Sequence, residues 1–270
     1  MRRLFGRQVV LGAALVATAV ANPFANHSWG SYHWARTTEV VTLKTGDNVD
    51  SRWDAYLDEA ISDWNASAVV KLAKVAGGTN PKNCRPTSGR IEVCNAKYGQ
   101  TGWLGIAQIW ASGSHITQAI SKLNDTYFDT ATYNKPAWRR LVMCQEVAHD
   151  FGLGHQDEIF DNANLGSCMD YTNDPDGTRF GQASNEHPNG HDFDQLLTIY
   201  GSHRDSTNTA AASLPNGSAA GDDHHPSQWG RLVHSSPNGR VQIYELGLGR
   251  GQKKITHVFW ADPERDAHHH

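Results

Sequence analysis

Past its first twenty residues this 270-residue chain has no apolar run long enough to cross a bilayer. That excludes a helical membrane span in the rest of the chain. The apolar run Val9–Val20 is itself short, follows Arg2, Arg3 and Arg7, and ends in Ala19-Val20-Ala21. This is the layout of an export leader, so residues 1–21 are expected to be removed and the mature protein to be secreted or periplasmic. Basic runs are missing too. Loss of the leader takes the formal charge from −4 to −7, which argues against a nucleic-acid partner. Cysteine is scarce, but the four present are an even number, which suits an oxidising compartment. Four cysteines allow three pairings, and spacing alone selects none. There is no internal repeat. Only about fifteen residues separate the leader from the first expected strand, too few for a convincing propeptide.

The pattern of the remainder alternates between strand and helix signals. Thr37–Leu43 is β-branched and alternating, so it reads as a strand. Asp50–Asn65 places Trp53, Tyr56, Leu57, Ala60, Ile61 and Trp64 at helical spacing, with Asp50 or Ser51 able to cap the start. Strands are expected at 68–76, 90–98, 103–111 and 115–123. A helix follows from Pro136, which suits a first turn, to about Phe151, with Gly152 as its stop. Residues 156–190 read as irregular, and Asp192–Tyr200 as a further helix. From Ser202 to Ser227 the composition shifts to that of a linker or surface loop. Gly239–Leu246 and Lys253–Trp260 flank a glycine-rich turn and read as a hairpin, which should pack on the main domain because isolated hairpins are marginal.

One stretch carries chemistry: Gln145-Glu146-Val147-Ala148-His149-Asp150-Phe151-Gly152-Leu153-Gly154-His155. Positions 145 and 149 are four apart on a helix and share a face. Glu146 lies one position round, within reach of a water beside a bound cation. Gly152 permits a turn that returns His155 to the same point. The stretch has the form of the zinc-protease signature H-E-x-x-H-x-x-G-x-x-H, with Gln145 in place of the first histidine. Downstream, Ser167-Cys168-Met169-Asp170-Tyr171 has the form S-x-M-x-Y. Together the two motifs resemble the metzincin clan of zinc endopeptidases over about residues 35–201. Gln156, which follows the third ligand position, fits none of its well-known branches.

The resemblance implies an α/β (α+β) catalytic domain at 22–201. It would have a twisted, mixed five-stranded sheet with an antiparallel edge strand, an active-site helix, and an irregular lower subdomain closed by a helix. The linker at 202–227 and an appended hairpin at 228–270 would follow. Zn2+ is the implied cofactor, with Gln145, His149 and His155 as ligands, Glu146 as general base and Tyr171 as oxyanion partner. Met169 would form the floor of the site and Gly152 its turn. Because the clan brings the helix and the methionine turn together, the resemblance favours the local disulfides Cys144–Cys168 and Cys84–Cys94. A peptide substrate would lie extended along the edge strand near 103–111, and the protein would be a monomer with no membrane or nucleic-acid partner.

Gln145 leaves three outcomes open. It ligates directly through its amide oxygen; or another residue, such as His187, His191 or His115, takes its place; or the site holds no metal and the scaffold is a secreted binding protein. A zinc hydrolase acting on another amide, such as one of the cell wall, is a further reading.

Overall fold

The computed structural model describes residues 27–201, 204–205 and 223–262. The expected leader and most of the expected linker lie outside these residues. The described chain forms β1 (His33–Trp34), β2 (Val41–Asn48), α1 (Asp54–Trp64), β3 (Val70–Ala76), β4 (Arg90–Ala96), β5 (Trp103–Ser112) and β6 (His115–Asn124). It continues with α2 (Asp125–Phe128), α3 (Pro136–His149), α4 (Gly190–Tyr200), β7 (Arg231–Ser235), β8 (Val241–Gly249) and β9 (Gln252–Trp260).

All nine strands join one mixed sheet in the order β3-β2-β4-β6-β5-β9-β8-β7, with β1 on the start of β6. The expected five strands are therefore extended to nine. Strands β2, β3, β4 and β6 run parallel, joined by long connections, while β5 is antiparallel to both of its neighbours.

Helix α1 buries Leu57, Ala60, Ile61 and Trp64, the stripe its spacing requires. It starts later than expected, after Trp53, without a side-chain cap. Asp50 is engaged elsewhere. Its carboxylate pairs with Arg52 at 2.8 Å, and that bond holds its pKa down at about 2.

Helix α3 packs against α1 and β5. Pro136 stands in its first turn, and every residue from Leu141 to His149 is buried. The indole Nε1 of Trp64 donates to the carbonyl of Cys144 at 3.1 Å, fixing the two helices together. The turn after α3 needs glycine twice over. Gly152 has φ +97°, and a Cβ there would come within 2.4 Å of the carbonyl oxygen of Tyr32. The N-terminal segment 27–34 runs through that gap, with Trp29 N–H donating to Gly152 O at 2.9 Å. Both disulfides form as the resemblance implied, Cys84–Cys94 and Cys144–Cys168.

The expectation of an open edge at 103–111 is overturned. Strand β5 is hydrogen-bonded on both sides, to β6 and along its length to β9. A free edge leaves a row of unpaired backbone groups, and the C-terminal hairpin has the same need. Docking β9 against β5 satisfies both. The hairpin is thus continuous with the main sheet, and β7 extends it to three strands. In this register His257 stands opposite Ala107, in the middle of the molecule.

Candidate metal centre

Among the His, Cys, Asp and Glu side chains of the described residues, His149, His155 and His257 bring their ligand atoms within 4.8 Å of one another. Three elements supply them: the last turn of α3, the loop after Gly152, and β9. Ring centroids lie 4.6 Å apart for His149 and His155, 4.0 Å for His149 and His257, and 4.6 Å for His155 and His257.

Hydrogen bonds around the rings decide which nitrogens face inward. Nδ1 of His149 lies 2.7 Å from the carbonyl oxygen of Leu153, so it carries that ring's hydrogen. Nδ1 of His155 faces Glu158 Oε1 at 3.3 Å and does the same. In neutral imidazoles both Nε2 atoms are then lone pairs, and they lie only 2.9 Å apart. Two lone pairs at that distance repel unless a cation sits between them. A tetrahedral centre with nitrogen ligands would hold them about 3.3 Å apart. Neither nitrogen of the buried His257 has a hydrogen-bond partner. Burial lowers the pKa of all three rings, and for His257 the neighbouring His149 and His155 lower it further. Each shift favours the neutral ring, which is the form that binds metal.

The surroundings are polar on one side and aromatic on the other. Glu146 is 1% exposed, and its Oε2 has no partner. Burial, then the nearby Asp150, pushes its carboxyl well above the usual range. Gly105 on β5 makes room for it, since a Cβ there would meet Glu146 Oε1 at 2.4 Å. The Tyr171 ring lies 4.3 Å from that of His155, and its buried hydroxyl is also without a partner. Burial, then Glu146, raises the pKa of that phenol, so it stays a neutral donor. Trp29 stacks on His149 and His257 at centroid distances of 5.3 and 4.4 Å.

Met169 is fully buried. Its carbonyl accepts from the N–H of Gln156, the residue after His155, at 2.6 Å, which ties that loop to the methionine turn. Asp192 at the start of α4 extends the brace, accepting from Ser167 Oγ at 2.6 Å and from Gln156 Nε2 at 2.7 Å.

The structure brings His149 and His155 together as expected. Gln145 is buried, and its Nε2 donates to the Cys168 carbonyl at 2.9 Å, a bond between α3 and the methionine turn; its Oε1 accepts nothing. The three histidines considered as substitutes go elsewhere. His187 pairs with Asp63 at 2.7 Å on the surface. His191 stacks on His27. His115 stands beside His33 and Asp205.

His257 is the residue that sequence reasoning missed. Its neighbours Thr256 and Val258 are ordinary strand residues, and no spacing within β9 signals a ligand. The one available hint was a histidine within an otherwise apolar, β-branched run.

Comparison with models of known protein families and with curated proteins finds no match.

Proposed function

We propose that the chain is an exported, zinc-dependent endopeptidase of metzincin-like design, with His149, His155 and His257 as metal ligands. The observation that carries this reading is the 2.9 Å approach of two imidazole lone pairs, with a third unpartnered imidazole beside them. Three neutral histidines suit zinc, and both known bonds to the outer ring nitrogens are of the kind that orient such ligands. Export is supported by the leader-like N-terminus and by the two disulfides.

When bound, zinc would supply a Lewis acid that brings the pKa of a water down to about 7. The protein's own groups fit the remaining tasks. Glu146 Oε2 accepts the proton of the attacking water and passes it to the leaving amine. Burial raises the pKa of this carboxyl, and a divalent charge in the cluster would oppose that effect. The Tyr171 hydroxyl donates to the oxyanion that develops on the peptide carbonyl. Trp29 shields the imidazoles from bulk water.

A second reading is favoured by the burial of the cluster behind β9 and Trp29. The metal would then hold the C-terminal strands in place, with no hydrolysis. Metal analysis of protein purified without chelator, followed by a peptide library, separates the two. The endopeptidase reading expects stoichiometric zinc and cleavage that chelation abolishes and zinc restores. Stoichiometric zinc without cleavage selects the second reading, and absence of zinc that added zinc cannot correct defeats both.

A further inference from the structure

We propose that this protein has a second site for a divalent transition metal, built from His33, His115 and Asp205. Their ligand atoms lie within 4.8 Å of one another. The placement follows from the backbone. β1 and β6 pair in parallel with His33 directly opposite His115, so the two side chains leave the sheet on the same face. Their rings meet edge to face at 4.9 Å.

Asp205 is held over them by a two-way clasp. Its N–H donates to the carbonyl of Arg36 at 2.7 Å, and its Oδ2 accepts from the N–H of Arg36 at 2.8 Å. That fixes the carboxylate and turns Oδ1 towards the imidazoles, 2.8 Å from His115 Nε2 and 4.0 Å from His33 Nε2. The ligand tautomer of His33 is set as well. Its Nδ1 lies 2.7 Å from the carbonyl oxygen of Ser31 and carries the hydrogen, so Nε2 is the acceptor nitrogen and it faces Asp205 Oδ1.

Two imidazoles and one carboxylate select among metals. Ca2+ and Mg2+ take oxygen sets, whereas this donor set suits zinc, nickel, copper or iron. Ligands around a tetrahedral zinc stand about 3.3 Å apart. The observed separations of 2.8 and 4.0 Å bracket that value, so only small side-chain movements are needed. The His115 side chain is 36% exposed and offers an entry path, while that of His33 is 9% exposed and anchors the inner side. The ordinary alternative is a His–Asp ion pair that binds no metal. A bound ion would join β1 and β6 to the segment just beyond α4.

The test uses the full mature chain, stripped of metal and titrated with Co2+ and then Zn2+, followed by its d–d absorption and by metal analysis. The expected result is about two ions per chain, falling to about one in H115Q and in D205N. Near-UV circular dichroism of these variants should stay native, and any chelator-sensitive cleavage should persist. H257A should lose the other ion. If wild type, H115Q and D205N bind the same number of ions with the same spectrum, the second site does not exist. If the wild-type chain binds a single ion that H115Q loses and H257A keeps, this site stands and the catalytic reading falls.

Discussion

Helix α3 and strand β9 reach the same point in the molecule by different means. The helix announces itself: Gln145, Glu146 and His149 stand at offsets that one helical turn makes meaningful, and Gly152 punctuates them. The strand contributes one histidine with no local pattern, yet His257 is the residue whose ring lies 4.0 Å from that of His149. Spacing within a helix is a local property and can be read from sequence. Which strand lies beside β5, and in what register, depends on contacts between residues far apart in the chain. A site assembled from both kinds of element shows only its helical half in sequence.

The contrast can be tested by substitution. Glu146→Gln has the largest expected effect: peptide cleavage should fall about 10²–10⁴-fold while zinc content is unchanged. If zinc is lost as well, Glu146 belongs with the ligands. Next, His257→Ala should weaken zinc by about a hundredfold or more, whereas Gln145→Ala should change affinity by no more than about threefold. Gln145→Ala should instead cost about 1–3 kcal/mol of unfolding free energy, because the buried Cys168 carbonyl loses its donor. Competition with a zinc-sensitive dye and urea unfolding measure the two. The reverse ranking in affinity would return the third ligand to α3.

Gly105→Ala on β5 should act through Glu146 and Val142, whose atoms a Cβ would meet at 2.4 and 2.7 Å. A loss of about 1–3 kcal/mol is expected, with kcat reduced more than zinc affinity; equal losses of both would mean that the substitution disturbs the whole cluster. The smallest effect concerns Asp170 in the methionine turn, whose carboxyl burial pushes up to about 6 from an ordinary 3.8. Between those values the folded protein keeps a proton that the unfolded chain has released. This group therefore stabilises the fold below about pH 4, and its contribution is lost as pH rises through about 6. Asp170→Asn should remove that part of the slope, and parallel stability curves for the two proteins from pH 4 to 7 would contradict the assignment.

Much of the architecture was legible where the signal was local. Pro136 and Gly152 bracket α3 as their backbone preferences require. The stripe of α1 was readable, but its start was not, since the carboxylate of Asp50 is drawn to Arg52 instead of the helix end. The local disulfides followed from the resemblance and not from spacing. The segment before β2 showed no period at all, yet it carries Trp29, which covers the imidazoles, and His33. Its role depends on passing through the gap left by Gly152, a tertiary fact with no trace in its own residues. The interior position of β5 was hidden for a related reason. A strand buried on both faces reads the same whether its second edge is open or paired, and the partner lies about 150 residues further on.

The chain is made from its N-terminus onward. His149 and His155 therefore emerge roughly a hundred residues ahead of His257, and until β9 follows them they form a pair without its third member. Completion of the cluster waits for β9, so the order in which the ribosome delivers the three histidines is itself a clock. A half-made chain holds the recognisable motif in full and still lacks the nitrogen that would close it.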